Sequence, residues 1–126
     1  MRKVKILIVD DERDFVEFIK IRLRNWGYNV ISAYNGKEGV SSLKEKKPDI
    51  IILDCYMPEM DGISALKEIR KINKKIPVII LTAYPDVEMM NKAEKLGIVA
   101  FIPKITTEVN LRTLLEGAVK LAKPGY

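Results

Sequence analysis

The sequence predicts an α/β fold in which a five-stranded parallel sheet is doubly wound and covered by helices on both faces, a three-layer arrangement. Three observations predict it. Short apolar runs rich in Ile and Val, such as Ile6-Leu7-Ile8-Val9 and Ile50-Ile51-Ile52-Leu53, recur along the chain. Continuous runs of that kind mark strands buried on both faces. Helical stretches separate them throughout, and such alternation requires right-handed crossovers with helices on either side. Finally, the runs lead into polar residues: Asp10-Asp11, Asp54, Thr82 and Lys104. In sheets wound this way ligands sit beyond the carboxyl ends of the strands, where strand order reverses.

Each element has its own signal. Ile6 to Val9 forms the first strand and ends on the acidic pair. Glu12 to Asn25 holds no Gly or Pro and carries Val16, Ile19, Leu23 and Trp26 at helical spacing, with Gly27 placed to end that helix. Tyr28 to Ala33 reads as the second strand, Asn35-Gly36 as a turn, and Lys37 to Lys47 as a helix stopped by Pro48. Asp49 to Leu53 is the third strand and runs into Asp54. A loop, Cys55 to Gly62, precedes a helix over Ile63 to Asn73. Pro77 to Leu81 is the fourth strand and ends at Thr82. Asp86 is placed to cap a helix running to Leu96, with Gly97 to end it. Ile98 to Ile102 is the fifth strand, leading to Lys104, and Thr107 caps the last helix, which runs to Ala122.

Size and composition narrow the classes. At 126 residues the chain makes one domain, 1–126, able to bury a real core. Its apolar content of 48% and charged content of 31% are those of a soluble protein. No apolar run approaches the length that spans a bilayer, and the acidic pair rules out a signal peptide. A lone cysteine, Cys55, excludes an intrachain disulfide and fits a reducing cytoplasm. Net charge is +5, but the lysines are spread along the chain instead of clustering with aromatics, which argues against direct nucleic-acid binding. Histidine is absent, so the chain has no histidine base, ligand or phosphohistidine of its own.

The carboxyl edge carries the chemistry. Two like charges about 4 Å apart repel by roughly 1 kcal/mol in water and about 4 kcal/mol near a protein surface. A divalent cation would offset that between Asp10 and Asp11; the plainer reading has Asp11 capping the next helix. Magnesium favours oxygen ligands and few carboxylates. An aspartate can attack phosphorus to form an acyl phosphate, and phosphoryl transfer needs positioning and charge neutralisation, which a metal and a lysine supply. Thr82 can donate to a phosphate oxygen.

The chain resembles the receiver domain of two-component response regulators, in particular single-domain receivers of the chemotaxis and phosphorelay type. The residues that carry this resemblance are Ile6-Leu7-Ile8-Val9-Asp10-Asp11, Asp54-Cys55-Tyr56-Met57-Pro58-Glu59-Met60-Asp61-Gly62, Leu81-Thr82-Ala83 and Phe101-Ile102-Pro103-Lys104. It implies a flavodoxin-like sheet of order 2-1-3-4-5. It also implies that Asp54 accepts a phosphoryl group from a histidine kinase or histidine phosphotransferase. Asp11 and Asp54 would ligate Mg2+ directly, Asp10 largely through water, and the backbone carbonyl of Tyr56 would complete the set. Lys104 would pair with the phosphate, and Thr82 would turn toward it with Phe101 following. A downstream effector protein would read the change on the face of the fourth helix, fifth strand and last helix, where Met89 and Met90 offer an adaptable surface.

One departure stands out. The family usually places proline directly after the lysine of the fifth strand, often with a cis bond, whereas here Ile105 follows Lys104 and Pro103 precedes it. A cis bond before a non-proline costs about 3–4 kcal/mol, so this loop is expected to be built differently. Two other readings compete. An aspartate-nucleophile phosphatase would want a second Asp two residues after the first, where this chain has Glu12, and has no use for the Met-Pro-x-Met-Asp-Gly loop. A receiver-like binding module without phosphorylation would have no need of all five site residues. No output segment follows the receiver within the 126 residues, which fits either a stand-alone regulator or part of a longer chain. On the first helix, Phe15 lies at the edge of the buried arc and Phe18 well off it. With Arg22 they are expected to form a docking surface for the histidine donor, since aromatics and Arg dominate interface energetics.

Overall fold

The computed structural model describes residues 3–84 and 86–122. Strand and helix alternate: β1 Lys5–Val9, α1 Arg13–Asn25, β2 Asn29–Ala33, α2 Gly36–Lys46, β3 Ile50–Asp54, α3 Gly62–Ile72, β4 Val78–Thr82, α4 Val87–Leu96, β5 Ala100–Pro103 and α5 Thr107–Ala122. All pairings are parallel and the sheet order is β2-β1-β3-β4-β5. Order therefore reverses between β1 and β3, and the crevice beyond their carboxyl ends is the place such a sheet offers a ligand.

The apolar strands divide the core in two because alternate residues point to opposite faces. Leu7, Val9, Ile51, Leu53, Val78 and Ile80 pack with Leu43 of α2, Ile63, Leu66 and Ile69 of α3, and Ala93 of α4. Ile6, Ile8, Ile50, Ile52, Ile79 and Leu81 pack with Val16, Ile19 and Leu23 of α1 and with Leu111, Leu115 and Ala118 of α5. Every residue of β3 and β4 is buried. Burying one such side chain contributes roughly 1.5–3 kcal/mol, so the two central strands anchor whatever stands at their ends.

Several element ends differ from the sequence expectation. Asn35-Gly36 makes no free turn: Asn35 caps α2, its side chain accepting from Glu38 N–H at 2.8 Å while its amide donates to the Glu38 carboxylate. This is a variant of the capping box in which Glu38 accepts from the Asn35 side-chain amide and not from its backbone N–H, and Gly36 is buried at the start of the helix, where a Cβ would come within 2.9 Å of Met60. Lys47 ends α2 in the left-handed region, φ 49°, so Pro48 follows the stop instead of making it. The first helix begins one residue late, with Glu12 as its N-terminal flank and no side-chain cap; its carboxylate is engaged elsewhere. Asp86 does cap α4, accepting from Glu88 and Met89 N–H. The segment after β5 is a 3-10 turn, Lys104–Thr106, that runs directly into α5, and no described peptide bond is cis. The proposed cap of α5 rests on the Thr107 side chain, which lies outside the described ones. Among the described residues no helix is long and apolar enough to cross a membrane.

Candidate functional site

Asp10 follows β1, where its backbone N–H still donates to Ala33 C=O at 3.1 Å. Its side chain turns inward and is buried, with Oδ1 accepting from Glu12 N–H at 3.0 Å. Asp54 is the last residue of β3, paired with Leu81 of β4 and only 4% exposed. The loop after it folds back on itself. Gly62 N–H donates to Cys55 C=O at 2.9 Å, and a Cβ on Gly62 would strike the Asp54 carbonyl and come within 2.7 Å of the Cys55 Cα. Only glycine fits so close to backbone. Asp61 closes the loop by capping α3 through Ser64 N–H at 2.8 Å. The Asp-x-x-Met-Pro-x-Met-Asp-Gly pattern is thus a device for returning the chain directly beneath Asp54.

Thr82, at the end of β4, is fully buried, and its Oγ1 accepts from Tyr84 N–H at 3.1 Å. That turn leaves the hydroxyl hydrogen available to donate. Lys104 reaches back across the sheet edge. Its Nζ lies 2.9 Å from Asp10 Oδ2, 2.5 Å from Glu12 Oε1 and 3.7 Å from Asp54 Oδ2, with the Phe15 ring centroid 4.6 Å away. Oxygens of Asp10, Glu12 and Asp54 all fall within 4.8 Å of one another. The sequence reading joined Asp11, not Glu12, to the other two. Asp11 is exposed and stands outside this close set, although its charge still reaches Asp54. Glu12 was the residue missed; its only local signal was a third acid in succession.

Burial is the main electrostatic fact here. It raises the Asp54 carboxyl to about 7, helped by the neighbouring charge of Asp10 and opposed by Lys104 and by a hydrogen bond from the Tyr56 backbone. Asp10 is also raised by burial, against the hydrogen bonds from Glu12 N–H and Lys104. Burial alone would lower the Lys104 ammonium, but Glu12, Asp10 and Asp54 outweigh it and keep the group charged above its ordinary range. Three carboxylates thus face one ammonium. Hard oxygen donors in that number suit a divalent metal ion, whose charge would relieve the desolvated pair.

The remaining residues are nearby. Tyr56 and Tyr84 meet edge-to-face, centroids 5.9 Å apart, beside Asp54 and Thr82 in the chain. Phe101 is half-buried and packs on the α2–α4 side with Met89. On α1, Phe15 packs into the other core face and under Lys104, whereas Phe18 is 42% exposed with the Arg22 guanidinium 5.1 Å from its ring.

The family model for the response regulator receiver domain matches residues 6–116. The chain belongs to the response regulator receiver domain family. Among curated relatives, the transcriptional regulatory protein ZraR of Salmonella typhimurium is 39% identical over 93% of this receiver but only 26% of its own length. The receiver therefore spans about a quarter of the length of that relative. Among solved structures, a response regulator receiver domain from Clostridium thermocellum is 33% identical with TM-score 0.88, covering 93% of this chain and 94% of its own. A CheY-like receiver from Methanospirillum hungatei is 28% identical with TM-score 0.84, over 96% and 94% of the two chains. This receiver is a response-regulator domain of the kind used in two-component signalling.

Proposed function

We propose that this receiver takes a phosphoryl group on Asp54 from a phosphohistidine donor, a histidine kinase or histidine phosphotransferase, and that the phosphorylated form binds a downstream effector protein in the cytoplasm. The observation that carries this reading is a desolvated carboxylate at the switch point with an ammonium 3.7 Å away and a buried hydroxyl on the next strand. In the transfer, a carboxylate oxygen of Asp54 bonds to phosphorus as the P–N bond of the donor breaks and the imidazole leaves. Lys104 pairs with the charge gathering on the phosphoryl oxygens, and the Thr82 hydroxyl donates to one of them. They supply charge and dipole in a water-poor site, where such groups count most. Asp10 and Asp54 would hold Mg2+ from the buried set, joined by the exposed Asp11 and the Tyr56 carbonyl, while the Glu12 carboxylate stays with Lys104. Bound there, Mg2+ neutralises carboxylate and phosphoryl charge. Receiver-assisted gain and loss of the phosphoryl group is then self-catalysed, and the chain is chiefly a signalling protein.

Incubation with acetyl phosphate and Mg2+, followed by intact mass, tests this. The parent should gain one phosphoryl mass, and omission of Mg2+ or the change Asp54→Ala should abolish the gain. Equal labelling of Asp54→Ala would remove Asp54 as acceptor. Continuous release of phosphate from ester substrates would instead favour the phosphatase reading.

A further inference from the structure

Glu12 is the member of the site that the family resemblance leaves without a role. Its carboxylate makes the shortest contact to Lys104, 2.5 Å, against 2.9 Å for Asp10 and 3.7 Å for Asp54. The three partners differ sharply in exposure. The side chains of Asp10 and Asp54 are 2% and 4% exposed, that of Glu12 60%. Water can replace Lys104 at Glu12 but not at the buried acids, so Glu12 is the partner most easily given up. With the Phe15 ring on a further side, it holds the ammonium toward the mouth of the site and beyond hydrogen-bond distance from Asp54.

A phosphoryl group on Asp54 would bring up to about two negative charges beside the ammonium. Lysine is a compact charge on a flexible stem with three donors, so it can follow that charge, but Glu12 pulls the other way. Resting on the reading of Asp54 as acceptor, we propose that Glu12 is a positioning residue: a releasable holding partner that keeps Lys104 at the site mouth and competes with the phosphoryl group for it. The plainer account is an exposed ion pair with no consequence. Such pairs shift an equilibrium by only roughly two- to fivefold, and a competitor of that strength sets the size of the effect.

The test uses beryllofluoride, a phosphoryl mimic, titrated at saturating Mg2+ and followed by amide chemical shifts. Glu12→Gln keeps the shape and removes the charge, and it should bind the mimic about threefold more tightly than the parent. In a Lys104→Met background the same change should give no gain, because the group being competed for is gone. If that background binds too weakly to titrate, phosphoryl occupancy at a fixed high acetyl phosphate concentration, read by intact mass, supplies the same comparison. Unchanged or weaker binding by Glu12→Gln overturns the proposal. So does a gain that persists in full without Lys104, since Glu12 would then act on the mimic directly. Asp54→Ala separates the two levels. If it binds the mimic like the parent, the acceptor reading falls. If it loses binding while Glu12→Gln matches the parent, only the role of Glu12 falls.

Discussion

At the scale of single residues, Asp54 combines a need for charge with a position that opposes it. Folded, the carboxyl holds its proton to about pH 7, because burial and Asp10 disfavour the anion. In the unfolded chain an aspartate releases its proton near pH 3.9, roughly the model-peptide value. Between those values the folded state binds more protons, so stability contributed at this position falls as pH rises through that window and stays lost above it. Asp54→Asn should therefore be more stable than the parent at pH 8 in EDTA, by roughly 2–4 kcal/mol, the upper figure corresponding to the whole interval between about pH 3.9 and 7, and by at least roughly 5 °C in Tm. The gap should close as pH is lowered toward 4. Thermal melts of both proteins at several pH values check this, and a gap that does not vary with pH would contradict it. Under the proposed function the instability has a use: a carboxylate that water does not satisfy is one that a metal and a phosphoryl group would.

At the scale of elements, the residues of α1 divide between two environments. Val16, Ile19 and Leu23 are buried against the sheet. On another side, Phe18 is exposed and stacked with Arg22, while Phe15 lies under Lys104. Because α1 starts directly after the acidic run, its first turns border the site that the proposed histidine donor would have to reach. Phe18→Ser should leave labelling by acetyl phosphate intact and slow transfer from a phosphorylated histidine protein at least tenfold, the equivalent of about 1.4 kcal/mol. Stopped-flow or quench-flow transfer assays measure it, and equal rates with the protein donor would take Phe18 out of the docking surface. The loop between β3 and α3 contrasts with α1. Its side chains tie the loop down, Asp61 capping α3 and Met57 and Met60 packing on the core, while its backbone returns beneath Asp54 at the one spot where Gly62 permits it.

At the scale of the whole molecule, the site touches the far half of the sheet through paired neighbours. Thr82 lies opposite Pro103 and Ile80 opposite Phe101, and Phe101 packs on the same cluster as Met89 of α4. If Thr82 turns toward a phosphoryl oxygen, its bond from Tyr84 N–H must be remade, and the start of the β4–α4 connection moves with it. A ligand shifts such an equilibrium only by binding the two states unequally. Adding beryllofluoride should therefore change amide shifts from Thr82 through Phe101 and into α4 at Met89 and Met90. Changes confined to Asp10, Asp11, Asp54, Thr82 and Lys104 would leave this face outside the switch.

The residues that stand at strand ends were legible in the chain because strand burial has a short period: a run such as Ile50 to Leu53 locates its own carboxyl end and so locates Asp54. Thr82 and Lys104 followed by the same logic, as did the buried arc of α1. Contacts between distant positions were not legible in that way. Glu12 and Lys104 are 92 residues apart, and no local pattern states that the third acid of a run, instead of the second, will turn toward a lysine arriving from β5. Asn35-Gly36 carried the composition of a turn, yet Gly36 lies inside α2 beneath Met60. Gly62 carried the family's motif, but its reason is the Asp54 and Cys55 backbone packed against it. Periodicity along the chain records which face of an element avoids water. Which groups meet across elements depends on the register and spacing of the assembled sheet, and there the raised carboxyl of Asp54 and the placement of Lys104 were set.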